Sequence, residues 1–150
     1  MPSMSQSEID EFLRETRIGV LCTNDLDGAP NGVPVWFEWD GERIRMFSSA
    51  SHKKMVRLEN DPRASVLVAR EVGEAEAWVA VDGVVSMTEE EGVVPLMERL
   101  AARYWVDEDP AVAKTHAETV ESWRQAAADL RVLTIVPDEI RSYDARKRAS

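Results

Sequence analysis

Apolar and polar positions alternate through most of this chain in short blocks, separated by turn residues. The N-terminal block differs: Ile9, Phe12 and Leu13 recur at helical spacing and Ser5 with Glu8 forms a capping-box pair, so a helix is predicted over residues 5–16. Residues 17–23 (RIGVLCT) read as a strand, with Cys22 as a small core residue, and Asn24 to Gly28 as a turn. Residues 30–39 read as a second strand, interrupted at its start because Pro30 and Pro34 cannot donate to a central ladder. If regular, that strand puts Phe37 and Trp39 on one face and Trp36 on the other. Asp40-Gly41 is a hairpin signal, and beyond it Ile44 and Met46 face opposite to Arg43 and Arg45.

The second half repeats this style with longer helices. Residues 64–69 (ASVLVA) and 76–87 read as strands, Gly83 marking a bulge in the latter. Thr88 with Glu91 is a second capping box, opening a helix to about Tyr104. Asp109-Pro110 supplies the cap and first position of an alanine-rich helix to about Ala128. Residues 131–136 form the last strand, continued past Pro137 by residues 140–143. Six or seven short strands, mostly joined by turns, predict an antiparallel sheet, and closing it into a small barrel removes its exposed edges. The chain is therefore expected to be one mainly β domain over residues 1–150, with peripheral helices.

The stretch FSSASHKKMVRLENDPR, from Phe47, interrupts this pattern with chemistry. Ser48, Ser49 and Ser51 lead into a short helix carrying Lys53, Lys54 and Arg57, with Ser51 as its expected N-cap and Asp61-Pro62 as its stop. A helix start offers unpaired backbone N–H groups and a favourable dipole to an anion. Serine hydroxyls and lysine ammonium groups would complete a phosphate cradle. Arg57 can share a face with either lysine. A lone K-K-x-x-R is more often only a solvated helix face; the serines before it are what raise the phosphate reading.

Composition sharpens the contrast. The net charge is −10, with 18 basic against 28 acidic residues, which argues against nucleic-acid binding. Between Arg43 and Arg63, however, basic residues outnumber Glu59 and Asp61, so the basic island suits a small anion. No stretch approaches the roughly 20 apolar residues of a membrane span, and no basic segment followed by an apolar run opens the sequence. A cytoplasmic location is the expectation. One cysteine excludes an internal disulfide and a cysteine-built metal site. His52 and His116 lie far apart, and no nucleophile-elbow, zinc-protease or P-loop motif is present.

Three segments together carry a family resemblance. The pattern of a strand, F-S-S, small or polar residues, Lys and L-x-x-D-P-R joins PNGVPVWFEWDGERIRMF (from Pro30) and RVLTIVPDEIRSYDARK (from Arg131). The order and spacing resemble the split-barrel flavoproteins related to pyridoxamine 5'-phosphate oxidase, especially small actinobacterial proteins that bind FMN or the deazaflavin coenzyme F420. The resemblance implies a six-stranded antiparallel split β-barrel, Greek-key-like and FMN-binding in type, forming a homodimer with two cofactor sites at the interface. By position, Lys54 falls on the family's phosphate lysine, and Ser48, Ser49 and Ser51 in its hydroxyl-bearing turn. Relatives usually carry Gly-Arg before this lysine, where this chain has Ser51-His52, so the anion would be held differently in detail.

A flat tricyclic ring needs apolar faces and a few backbone hydrogen bonds, which Val33, Pro34, Val35 and Trp36 could supply. The implied activity is hydride transfer from F420 or FMN to a small organic acceptor, with the cofactor supplying the chemistry. No catalytic acid–base residue is identified. No second phosphate-binding set is visible, which disfavours oxidation of a pyridoxine phosphate. Lys53, Arg57 and the basic tail Arg146 to Arg148 are candidates for the acidic tail of the deazaflavin. The rival class is a cofactor-binding, carrier or sensor module of the same fold without turnover.

Overall fold

The computed structural model describes residues 2–87, 92–106 and 109–148. Helix α1 (Gln6–Arg14) starts at the predicted capping box: the Ser5 side chain accepts from the Glu8 N–H, and the Glu8 carboxylate accepts from the Ser5 N–H. Its apolar stripe, Ile9, Phe12 and Leu13, is buried. Then come β1 (Gly19–Asn24), β2 (Pro30–Val35), β3 (Glu38–Trp39), β4 (Ile44–Ser49), α2 (Lys53–Asn60), β5 (Arg63–Ala69) and β6 (Ala77–Ser86). Helices α3 (Val93–Tyr104) and α4 (Pro110–Gln125) follow, and a single 3₁₀ turn leads to β7 (Leu130–Asp144). The predicted Thr88–Glu91 capping box lies outside the described residues. Asp109 caps α4 as expected, its carboxylate accepting from Ala111 and Val112.

All strand pairs are antiparallel, in one seven-stranded sheet of order β2-β1-β5-β6-β7-β4-β3. The strand count is seven rather than six because the predicted 30–39 strand breaks at Trp36-Phe37. Its two halves, β2 and β3, become opposite edges of the sheet. A two-residue link spans at most about 11 Å, so the sheet must curl until its edges nearly meet. The prolines of β2 thus sit on an edge, where missing N–H groups cost no central ladder bond. Ile44 and Met46 point inward as their alternation requires.

Gly83 is the predicted bulge. The register shifts between Asp82 and Gly83, opposite Pro137 on a continuous β7. A Cβ at Gly83 would lie 2.5 Å from the Val136 carbonyl oxygen, so only glycine permits this approach.

The core is in two parts. Leu13, Leu21, Phe37, Ile44, Val66 and Leu133 fill the barrel interior. Each such side chain contributes about 1.5–3 kcal/mol through burial. A second cluster lies outside the barrel wall, where Leu96, Met97 and Leu100 of α3 cover Leu130 and Val132 of β7. Trp36, Phe47 and Trp123 pack against that outer cluster. Cys22 is half-buried rather than in the core, because it alternates with the inward Leu21 and Thr23. Among the described residues no helix is long and apolar enough to cross a membrane.

Candidate functional site

The break at Trp36-Phe37 builds one wall of a cavity. Phe37 turns into the barrel, and Trp36 turns outward beneath the α3–α4 pair. Tyr104 fixes this seam: its ring stacks on Trp36 at 5.2 Å, and its hydroxyl accepts from the Phe37 N–H at 3.2 Å and donates to the Arg17 carbonyl at 2.7 Å. Burial raises the Tyr104 pKa, so the hydroxyl stays protonated. Trp105, at the end of α3, meets Trp36 edge-on at 4.8 Å, and Trp123 of α4 stacks on Trp105 at 5.4 Å.

These rings border an open compartment of about 500 Å³. Pro34, Val35 and Trp36 line one side, Trp105, Trp123 and Phe47 the other, with Ile18 at the margin and Lys54 as its charged group. A second compartment of about 580 Å³ adjoins it, lined by Ser48, Ser49, Ser51, His52 and Asp129. Phe47, Lys54 and Trp123 line both. The two spaces therefore share a boundary with a cation on it.

The serine turn is held by its own hydroxyls. Ser49 Oγ lies 2.9 Å from Ser51 Oγ and accepts from the Ser51 N–H, while Ala50 N–H donates to the Asp129 carbonyl at 2.8 Å. Ser51 therefore does not cap α2. The N-cap is His52, which makes no side-chain cap bond; its Nδ1 lies 3.2 Å from the Oγ of buried Ser48. The first-turn N–H groups of α2 receive no side-chain cap.

Lys54 is half-buried and has no hydrogen-bond or ion-pair partner among the described residues. Burial lowers its pKa, and no carboxylate among the described residues offsets that. A desolvated ammonium without a counter-charge is costly to the fold, and an arriving anion relieves that cost.

The other sequence candidates divide. Ser48, Ser49, Ser51 and Lys54 meet at one compartment, and Pro34, Val35 and Trp36 at the other. Val33 packs against the barrel core instead. Lys53 is exposed and lines neither space. Arg57 forms an ion pair with Asp25 in the β1–β2 turn. In the basic tail, Lys147 reaches α1 by pairing with Glu8 at 2.5 Å, while Arg146 pairs with Asp144 at 2.7 Å and Arg148 reaches the Tyr143 hydroxyl at 3.3 Å, both at the end of β7. Sequence reasoning missed Trp105 and Trp123 as site residues. Their distance from the basic island in the chain left only aromatic content as a signal.

The pyridoxamine 5'-phosphate oxidase family model matches residues 5–144. The chain belongs to that family. No curated protein sequence matches it. Among solved structures, the conserved hypothetical protein Rv2991 from Mycobacterium tuberculosis is 27% identical, covering 98% of this chain and 89% of its own, with a TM-score of 0.72. A structure named F420 reductase is 23% identical, covers 87% of this chain and 94% of its own, and has a TM-score of 0.64. A FAD-binding protein from Mesorhizobium loti is 22% identical, covers 93% and 94%, and has a TM-score of 0.62. The likenesses below 25% identity speak to the fold alone. On this family fold, the helical pair between β6 and β7 forms the aromatic wall of the cavity.

Proposed function

We propose that this chain binds a flavin-type cofactor, F420 or FMN, and uses it for hydride transfer to a small organic acceptor. The observation that carries the proposal is Lys54, half-buried without a counter-ion among the described residues where an aromatic space meets a serine-lined one. Both compartments fall in the size range of small-molecule sites. The residues fit such a group: hydroxyls of Ser48, Ser49 and Ser51 with the α2 N-terminus and Lys54 for the phosphate, and the flat walls of Trp36, Trp105 and Trp123 for the ring. The names of neighbouring structures support the cofactor class.

When bound, the cofactor supplies the hydride chemistry. The chain's residues bind and orient it. Lys54 and the serine turn fix the anion, Tyr104 holds Trp36 against the ring space, and the indoles exclude water. Because the described residues that line the ring space include no carboxylate or imidazole, a second reading is carriage of the cofactor without turnover.

We also propose a homodimer. Of the tryptophans only Trp39 is buried in the single chain, and Val84 and Val136, opposite each other in the β6–β7 register, are 47% and 58% exposed. A monomeric mass by light scattering would contradict this.

The test of function is titration with FMN and with F420, followed by absorbance, and then turnover of the reduced cofactor with candidate acceptors. Binding with turnover supports the enzyme, binding without turnover the carrier, and no binding of either cofactor overturns the proposal.

A further inference from the structure

Ser48 and His52 meet across the serine turn, and the hydrogen bonds of that turn decide how the imidazole can be used. Ser48 is 3% exposed, and its hydroxyl donates to the Ser49 carbonyl at 3.2 Å. The same carbonyl accepts from the His52 N–H at 3.2 Å, which pins His52 at the N-cap of α2. A serine hydroxyl carries one hydrogen. With that hydrogen engaged by Ser49, the Ser48 Oγ accepts from His52 Nδ1, 3.2 Å away. The neutral imidazole therefore carries its proton on Nδ1 and leaves Nε2 as a bare acceptor. Nε2 has no hydrogen-bond partner among the described residues.

His52 lines the serine compartment together with Lys54, beside first-turn N–H groups that receive no side-chain cap. Among the described residues, the charged groups around it are Lys53 and Lys54 on its own helix, Asp129 and Arg131. Asp129 lines the same compartment and is exposed to solvent. Arg131, opposite Ser48 on β7, donates to the Ala128 and Leu130 carbonyls, both at 2.8 Å. A bare lone pair on Nε2 repels an anionic oxygen, whereas an imidazolium donates to it through a charge-assisted bond. A fully ionised anion can use this ring only when a proton comes onto Nε2.

We propose that His52 is a ligand of the bound anion and meets it as the imidazolium, so that one proton is taken from solvent with each fully ionised anion bound. The step balances: neutral imidazole, one proton and the anion become imidazolium and anion in contact, and no other bond forms or breaks. The proposal rests on the cofactor reading above for the presence of an anion and adds the regulation of its binding by pH. Imidazoles titrate in the range of about pH 5–8, so binding weakens as pH rises through that range and levels off where the bound imidazolium itself loses its proton.

The test is calorimetric titration of the full chain with FMN at about pH 7.5, where a phosphate monoester is mainly the dianion. Repeating it in two buffers of different ionisation enthalpy counts the protons exchanged. Wild type should take up a proton, approaching one per FMN. Riboflavin, which lacks the phosphate, should take up none. FMN affinity should fall with a slope of up to about tenfold per pH unit, that of a single linked proton. His52→Gln should show neither uptake nor slope, so its deficit against wild type should be larger near pH 6 than near pH 8, on the two sides of the imidazole range. His52→Arg, a fixed cation, should bind FMN without uptake or slope, and Lys54→Arg should keep the uptake. If only F420 binds, it replaces FMN in the same titrations. Binding without proton uptake in wild type would overturn the role of His52. So would uptake that survives in His52→Gln, or an equal loss of affinity in that variant at every pH. Failure of wild type to bind FMN and F420 would overturn the cofactor reading itself.

Discussion

Lys147 and Lys54 are both partly withdrawn from water, and their surroundings are opposite. Lys147 sits on the Glu8 carboxylate and on the Ser3 carbonyl at 3.1 Å, tying the end of the chain to the start of α1. Next to it, Arg146 binds both oxygens of Asp144, which is 1% exposed. Lys54 has a cavity in front of it and no partner among the described residues. Two basic clusters that look alike as text thus have different uses. The paired one holds a terminus in place, and Lys54 of the other is the residue proposed to receive an anion. Charge count alone does not separate them; the partner does.

The comparison can be broken on the paired side first. Asp144→Ala removes a buried acceptor of charge-assisted bonds and should lower stability by about 2–3 kcal/mol in urea unfolding. FMN affinity should not change. The Arg146 guanidinium holds the Asp144 pKa at about 2, below the ordinary 3.8. Its contribution is therefore complete above the unfolded-state value and is lost as pH falls through about 2. In acid titrations the Asp144→Ala deficit should shrink over that window.

On the unpaired side the sign reverses. The lowered pKa of Lys54 means that the folded chain without ligand sheds this proton before the unfolded chain does. Between the lowered value and the ordinary 10.5, its contribution to stability rises with pH. Anion binding needs the ammonium form, so cofactor affinity should fall at a lower alkaline pH than an ordinary lysine would give. Calorimetric titration across that range checks this, and Lys54→Arg should abolish the dependence.

The smallest expected effect concerns the tail. Truncation of Arg146, Lys147 and Arg148 asks whether these cations meet the acidic tail of F420. With Arg146 and Lys147 already paired and none of the three lining either compartment, truncation should leave FMN and F420 affinities unchanged while loosening α1. Salt-dependent titrations of the truncated chain check it.

Local features were legible in the sequence. The Ser5–Glu8 box, the Ile44 and Met46 alternation, the Asp109-Pro110 start and the Gly83 bulge each rest on neighbours in the chain or on backbone geometry. Long-range pairings were not legible. The Arg57–Asp25 contact spans 32 residues and the Lys147–Glu8 contact 139, and nothing in either segment encodes the other. The break at Trp36-Phe37 escaped detection because its alternation continues through the break. Ser51 lost its expected cap role to a competing hydroxyl pair with Ser49. The serine-lined compartment takes Ser48, Ser49, Ser51 and Lys54 from one contiguous stretch, which is why the sequence alone groups them. The aromatic compartment joins Pro34, Val35 and Trp36, which the sequence reading named, to Phe47, Trp105 and Trp123 from distant elements, which it did not.

The central claim is that the unpaired lysine marks the site. The most direct measurement titrates FMN and F420 into wild type, Lys54→Ala and Lys147→Ala side by side. Lys54→Ala should lose about 1.5–3 kcal/mol of affinity for both, the worth of a charge-assisted bond, with thermal stability intact. Lys147→Ala should bind both as wild type does. Unchanged affinity in Lys54→Ala, or an equal loss in both variants, would contradict the account.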